Sequence, residues 1–420
     1  WIASAIFLTI LAKILHSANG EYSGGWIYIL FTMSFCLAVF ILNFRFEFDE
    51  KGFSPMGFCL GVLIILFGDP LFENDQYRYL FEGKVFFKGL NPYRHPPVHD
   101  IYKSVSYFAK EKISFNYLTT VYPPLALAWF GMAGVFGYKI GLIILMILNG
   151  GLVYWLYRHL FQIAKPIYLF LLIPYFQKEF IQGVHIDLLA VCGLCLYFFK
   201  KTWWHKFLGM ALSYWVKIFG IIILPFYLIQ EKSYPKRWLL GVALLVSLPI
   251  TLYILGGFSF ENMTGAKAFS RHWVWNSGFY GILADGLNFV EALARQVTII
   301  CYFIYAAFVV MGLVYIYKKQ DFQLNRKQIL ISLYLLFSGL MFFSPVFNAW
   351  YAVWFLIPGL LIGNHSAVFY GLSSCWGYIY YGHPDIHEVG QLLTHIWWPL
   401  SLIELYWKKD LELPGTTSST

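Results

Sequence analysis

The sequence predicts an all-α polytopic membrane protein with about 12–14 transmembrane helices. Three observations predict it. Of the 420 residues, 59% are hydrophobic and only 12% charged, with a mean hydropathy of +0.61; a soluble domain carries about 25% charge. Aromatic residues reach 21%, and Trp and Tyr favour the membrane–water boundary, where an apolar ring and a polar edge are both satisfied. The apolar residues also come in long runs separated by short basic loops. No soluble core hides this much apolar surface. The net charge of +8 belongs to membrane sidedness and does not point to nucleic acid.

The runs fall near 1–17, 26–44, 55–68, 137–157, 166–180, 184–200, 206–230, 237–256, 297–317, 329–344, 349–363, 366–382 and 393–407. The run 206–230 carries Lys217 at its middle. A lysine at mid-bilayer costs about 2.5 kcal/mol or more, so two short helices with Lys217 at their turn are expected. With that split and a cytoplasmic N-terminus, more than half of the 30 Lys and Arg fall in short inside segments. These hold Arg45 and Lys51, Arg158 and Lys165, Lys200, Lys201 and Lys206, Lys232 to Arg237, Lys318 to Lys327, and Lys408 and Lys409. That is the distribution of the positive-inside rule. The outside then carries two large segments, 69–136 and 257–296, and short ones near 181–184, 345–350 and 383–392. Segment 118–136 is apolar enough to tempt a spanning assignment, but spanning would invert every later loop. It is expected as an interfacial helix entered through Tyr122-Pro123-Pro124.

The expected organisation is two N-terminal helices over 1–54, a catalytic module over 55–256 with a structured outer loop at 69–136, an outer loop and C-terminal membrane module over 257–410, and a disordered tail at 411–420. The opening at Trp1, without Met and inside an apolar run, reads as a trimmed start. All six cysteines lie in apolar runs, so the Cys192-x-x-Cys195 spacing reads as small hydrophobes before it reads as a disulfide or a metal site. No internal repeat is visible, which argues against a transporter built from two halves.

The densest polar cluster follows the third run, from Asp69 to Gly83, and continues to Gly89-Leu90-Asn91-Pro92-Tyr93. Glu73 and Asp75 form an acid-x-acid pair beside an apolar boundary. Two such carboxylates have their proton affinities pushed apart, and one can act as general base on a hydroxyl. On chemistry alone, a solvated helix cap built on Asn74 and Asp75 explains them equally well.

The order of motifs carries further. The acid-x-acid pair, Tyr77-Arg78-Tyr79-x-Phe81-x-Gly83, Gly89-x-Asn91-Pro92-Tyr93 and Tyr122-Pro123-Pro124-Leu125 resemble the GT-C superfamily of membrane glycosyltransferases, in particular the polyprenol-phosphate-mannose-dependent mannosyltransferases. Gly183-Val184-His185-Ile186-Asp187, Lys217, Arg271-His272-Trp273-x-x-Asn276 and Ser344-Pro345 with Trp350-Tyr351 resemble later family patterns in the same order. The chain departs from many members in having two runs, not one, ahead of the catalytic loop's helix.

The resemblance implies a GT-C-like bundle and transfer of a sugar, mannose first, from a polyprenol-phosphate donor to a glycan or lipid hydroxyl. It places the active site on the periplasmic face of a bacterial inner membrane. Asp75 is expected as the base, with Glu73 second. Arg78, Tyr79, Asn91, Tyr93, His185, Asp187, Lys217, Arg271, Trp273, Asn276, Trp350 and Tyr351 are expected to bind substrate. A monophosphate leaving group neutralised by Lys217 or Arg271 requires no metal, so no cofactor is expected, although a divalent ion is compatible. One base and one displacement imply inversion. Transfer of another sugar or amino-sugar, and a lipid-linked-sugar flippase, are the alternatives. Each residue also has a plain reading: Lys217 as a snorkelling anchor, His185 and Asp187 as a capped helix start, Trp350 and Tyr351 as aromatic-belt residues. His383, Asp385, His387 and Glu388 have ligand chemistry, but their spacing matches no metal motif.

Overall fold

A computed structural model describes residues 1–17, 25–46, 54–105, 110–200, 202–231, 234–320, 324–381 and 383–407. The expected tail at 411–420, together with Lys51, Lys201, Lys232, Lys408 and Lys409, lies outside the described residues. The chain is 77% helical, and the described residues contain no strand. It is an all-α, multi-pass membrane protein.

Among the described residues, five helices are long and apolar enough to cross a bilayer singly: Gly25–Asn43, Tyr138–Leu160, Pro235–Leu255, Glu291–Lys319 and Arg326–Phe343. The runs 166–180 and 184–200 form instead a pair, Ile173–Gln182 and Asp187–Phe199, bent by 117° at its break. Other runs form shorter apolar helices, including Ile2–Leu15, Pro55–Ile65, Ile218–Gln230 and Ala349–Leu361. The run 206–230 breaks where expected. Helix Trp203–Val216 ends at Lys217, whose backbone is extended at φ −146° and ψ 130°, and a 3-10 segment Ile218–Ile223 leads into helix Leu224–Gln230. The last run, taken from sequence as one span over 393–407, is two helices, His387–His395 and Trp397–Trp407. Pro399 sits in the first turn of the second, where its missing N–H costs nothing.

Two compact units share the chain. One comprises Trp1–Gly68, Tyr154–Gln177 and the part from Val274 onward. Within it the Trp1 ring meets Phe58 and Tyr157 edge-on at 4.5 and 5.1 Å, and Thr9 donates to the Ile64 carbonyl. Helix Arg326–Phe343 starts in a capping box, with Asn325 and Gln328 each bonding the other's backbone N–H. Helix His365–Ser373 is capped by Asn364, and the Glu404 carboxylate accepts from the N–H groups of His365 and Ser366 at its positive end.

The other unit comprises Asp69–Val153 and Lys178–Trp273. Its residues 69–105 and 110–136 are structured. Helix Asp75–Phe87 lies against helix Pro124–Gly134, backbone to backbone: a Cβ at Gly83 would stand 2.4 Å from the Gly131 nitrogen. Only glycine permits that approach. At 11 residues, helix Pro124–Gly134 is about 16 Å long, too short to cross a bilayer. Arg78, buried, holds the rest of the segment in place. It donates to Glu82 at 2.6 Å and to the carbonyls of Ser114, Phe115 and Leu118 at 2.9, 2.6 and 3.2 Å. Glu82 takes a further hydrogen bond from Thr120, so a carboxylate that burial would push toward its neutral form is stitched into the turn.

Candidate active site

The acid-x-acid pair stands at the start of helix Asp75–Phe87, with Asp75 its first residue. The chain reaches it through Phe72 at φ +69°, a left-handed conformation that a bulky residue adopts only when the surroundings impose it. A second such residue, Val184 at φ +51°, precedes His185. Strained backbone at both places aims side chains at one spot.

That spot is a buried charge cluster. Lys178 Nζ lies 2.8 and 3.0 Å from the two carboxylate oxygens of Glu73 and 3.2 Å from Glu179 Oε2. The Lys178 and Glu179 side chains are 0% and 1% exposed, and Glu73 is 8% exposed. His185 Nε2 is 3.6 Å from Glu73 and 3.8 Å from Glu179. Burial raises the proton affinity of the Glu73 carboxyl, but the Lys178 charge and the contact with His185 outweigh it and hold the group well below the usual carboxylate range, at about 2. Glu73 is therefore a fixed anion.

Asp75 is the opposite case. Burial raises its pKa, the neighbouring Glu73 charge raises it further, and His185, Arg78 and the Tyr79 hydroxyl only partly oppose this. The Tyr79 hydroxyl lies 3.2 Å from Asp75 Oδ2 and 3.1 Å from His185 Nδ1. Two proton arrangements satisfy that chain. With Asp75 ionised, Tyr79 donates to it and His185 Nδ1–H donates to Tyr79. With Asp75 protonated, Asp75 donates to Tyr79, and Tyr79 donates to an unprotonated Nδ1. Tyr79 is fixed by Phe130, stacked at 4.4 Å, and by Tyr122, edge-on at 5.2 Å. Beyond His185, Asp187 opens helix Asp187–Phe199, and Lys217 Nζ donates to its Oδ2 at 3.1 Å.

Glu73, Asp75, Tyr79, His185, Asp187 and Lys217 thus come together from three segments. Other expected binding residues are engaged elsewhere. Arg78 braces the loop as described. Asn91 donates to the Leu255 carbonyl and accepts from the Tyr93 N–H, while the Tyr93 hydroxyl donates to the Tyr122 carbonyl; both fasten the loop that carries the acids. Arg271 is exposed at the end of helix Thr264–His272, and Trp273 packs on Phe115 and Phe269. Asn276, Trp350 and Tyr351 belong to the other compact unit, where Trp350 is buried edge-on to Tyr351.

Sequence reasoning missed Lys178 and Glu179. Their signal was present: Gln177-Lys178-Glu179 is the one charged interruption in an otherwise apolar stretch from Pro166 to Gln182. Ionisable residues inside an apolar run are functional candidates by default. They sit on a π-helical turn, Gln177–Gln182, an irregularity frequent at functional sites. Glu73, Glu179 and His185 also offer one ligand atom each within 4.8 Å of one another. The Lys178 ammonium already stands among them.

Residues 56–231 match the family model described as "Alpha-(1->6)-mannopyranosyltransferase, N-terminal domain". The matched span contains Glu73, Asp75, Tyr79, His185, Asp187 and Lys217. No curated protein and no solved structure matches the chain.

Proposed function

From the match of residues 56–231 to that family model, we propose that the chain is a GT-C-type membrane mannosyltransferase, that its donor is a polyprenyl phosphate mannose and that Asp75 is the base. The donor is a lipid, so its glycosyl phosphate lies at the bilayer surface, on the side carrying segment 69–136. The basic-loop distribution supports the periplasmic side. An acceptor hydroxyl attacks the anomeric carbon, the bond from that carbon to the phosphate oxygen breaks, and the phosphate leaves with the electron pair. Asp75, ionised and held by the Tyr79 hydroxyl, takes the hydroxyl proton. A single displacement inverts the anomeric centre, so a β-linked donor gives an α-linked product; the family description supports a 1→6 linkage.

The observation that carries this reading is the division of labour between two carboxylates one residue apart. Glu73 is locked ionised by Lys178, and Asp75 is held with a raised proton affinity against Tyr79. Of the two, only Asp75 has its proton affinity raised, the direction that a general base needs. Lys217 is the phosphate ligand, released from Asp187 when the donor arrives, with Arg271 as a second cation. Lys178 supplies the internal positive charge that a metal would otherwise bring, so chelation of divalent ions leaves transfer unchanged.

The test is transfer of labelled mannose from a polyprenyl phosphate donor in liposomes, with donor affinity measured alongside. Asp75→Asn keeps the shape and removes the base; turnover falls about 10²–10⁴-fold while donor affinity holds. Near-wild-type turnover of Asp75→Asn overturns the assignment.

A further inference from the structure

Two proton arrangements satisfy the Asp75–Tyr79–His185 chain, and the surroundings of the far imidazole nitrogen choose between them. His185 Nε2 stands 3.6 Å from Glu73 Oε2 and 3.8 Å from Glu179 Oε2, and the His185 side chain is 0% exposed. A bare lone pair there would face two carboxylate oxygens in a site closed to water, so Nε2 carries a proton. When Asp75 is ionised, Tyr79 spends its only proton on it. Nδ1, 3.1 Å from the Tyr79 hydroxyl, must then donate as well. With a proton on each ring nitrogen, His185 is an imidazolium.

Charge balance points the same way. The Lys178 ammonium lies 2.8 and 3.0 Å from the Glu73 oxygens and 3.2 Å from Glu179 Oε2. A single ammonium against two buried carboxylates leaves a negative charge over, and a buried charge is costly unless paired. The imidazolium pairs it. The other charged groups nearby are Asp75, reached through Tyr79; Asp187, held by Lys217; and Arg78, held by Glu82. When Asp75 takes the acceptor's proton, the buried set becomes neutral.

Glu179 grips His185 through its main chain too. Its carbonyl accepts the His185 N–H at 3.3 Å, and the Lys178 carbonyl accepts that of Gly183 at 2.8 Å. A Cβ at Gly183 would stand 2.9 Å from the Glu179 carbonyl oxygen and 3.0 Å from His185 Cδ2, so glycine is what lets the ring lie back on the turn. The turn itself is anchored. Asn149 donates to the Phe180 carbonyl at 2.8 Å, and Gln182 donates to that of Asp69 at 2.9 Å.

We propose that Glu179 is a positioning residue for the reaction: with Glu73 it keeps His185 as an imidazolium, whose Nδ1–H turns the Tyr79 hydroxyl toward Asp75 and leaves Asp75 ionised to receive the acceptor's proton. The role in transfer rests on Asp75 being the base; the charge assigned to His185 is measured without any transfer.

The experiment is solid-state nitrogen NMR of the full-length protein in nanodiscs at neutral pH, with isotope-labelled histidine. The His185 signal is identified by its loss in His185→Asn. Wild type is expected to show N–H at both ring nitrogens. Glu179→Gln keeps the shape and removes the charge. It is expected to leave one ring nitrogen bare and to lower kcat for mannose transfer about tenfold or more, the scale of a lost charge-assisted hydrogen bond, with donor Kd unchanged. Glu179→Asp keeps the charge and is expected to restore the second N–H and part of kcat. A bare ring nitrogen in wild type overturns the proposal, and that spectrum decides even where a variant does not fold. A ring still doubly protonated in Glu179→Gln overturns it too, and assigns Glu179 to holding the turn alone. A ring that responds as expected in a protein that transfers no mannose upholds the imidazolium and sinks the catalytic reading instead.

Discussion

Lys178 reaches both carboxylate oxygens of Glu73, at 2.8 and 3.0 Å, across 105 residues of sequence. The pair is buried and shared with Glu179. Truncating one member of such a pair leaves uncompensated charge and costs about 3–5 kcal/mol.

Lys178→Met is therefore expected to lower the thermal unfolding temperature strongly, and by an amount that depends on pH. Glu73 has a depressed pKa in the fold, so its stabilising contribution is present above the ordinary carboxylate value of 4.5 and is lost as pH falls toward about 2. The gap between wild type and Lys178→Met should be full above 4.5 and close below it. A pH-independent gap would show that Lys178 stabilises by packing alone.

The acid limb of kcat/KM should report Asp75. Its raised pKa means that activity is lost, as pH falls, at a higher pH than an unperturbed aspartate would give. Glu73→Gln removes a negative neighbour that raises Asp75. The variant's acid limb should therefore move to lower pH, and its turnover should fall less than that of Asp75→Asn. An unmoved limb would mean that another group titrates.

Lys217→Met should raise KM for the donor about tenfold or more, the scale of a lost charge-assisted hydrogen bond, with a smaller change in kcat. Lys217→Arg should recover part of the affinity. Equal loss of kcat at unchanged KM would assign Lys217 to holding Asp187 and not to the phosphate.

Arg78→Met strands the buried Glu82 and three loop carbonyls. It should destabilise the segment 75–122 by about 3 kcal/mol or more, read as faster proteolysis there, with donor affinity lost only in proportion to unfolded protein. Intact protease resistance with a selective loss of donor binding would return Arg78 to the substrate.

Much of this was legible in the sequence. The charge-poor runs gave the membrane class, and the cost of Lys217 at depth located the helix break. The acid pair and His185-x-Asp187 were visible as polar islands beside apolar boundaries. What could not be read was which polar residues face inward to one another. Arg78 and Asn91 look like substrate ligands in a linear motif, yet their donors go to carbonyls that only tertiary folding brings near. Lys178 and Glu179 were absorbed into an apolar run because hydropathy averages over a window and hides a charge pair that neutralises itself. The expected spans that proved broken failed for a related reason: composition sets whether a segment tolerates lipid, whereas neighbouring helices set whether it continues straight.

The reach from Glu73 to Lys178 also has a meaning in time. At 5–20 residues per second, the ribosome delivers Glu73 roughly 5–20 s before its partner across the 105-residue gap. Throughout that interval the acid pair has no ammonium to close on. The Glu73–Lys178 pair can close only once the bent hairpin at 173–199 has been made. The order of synthesis thus makes the late hairpin, not the early acid loop, the step that closes the Glu73–Lys178 pair.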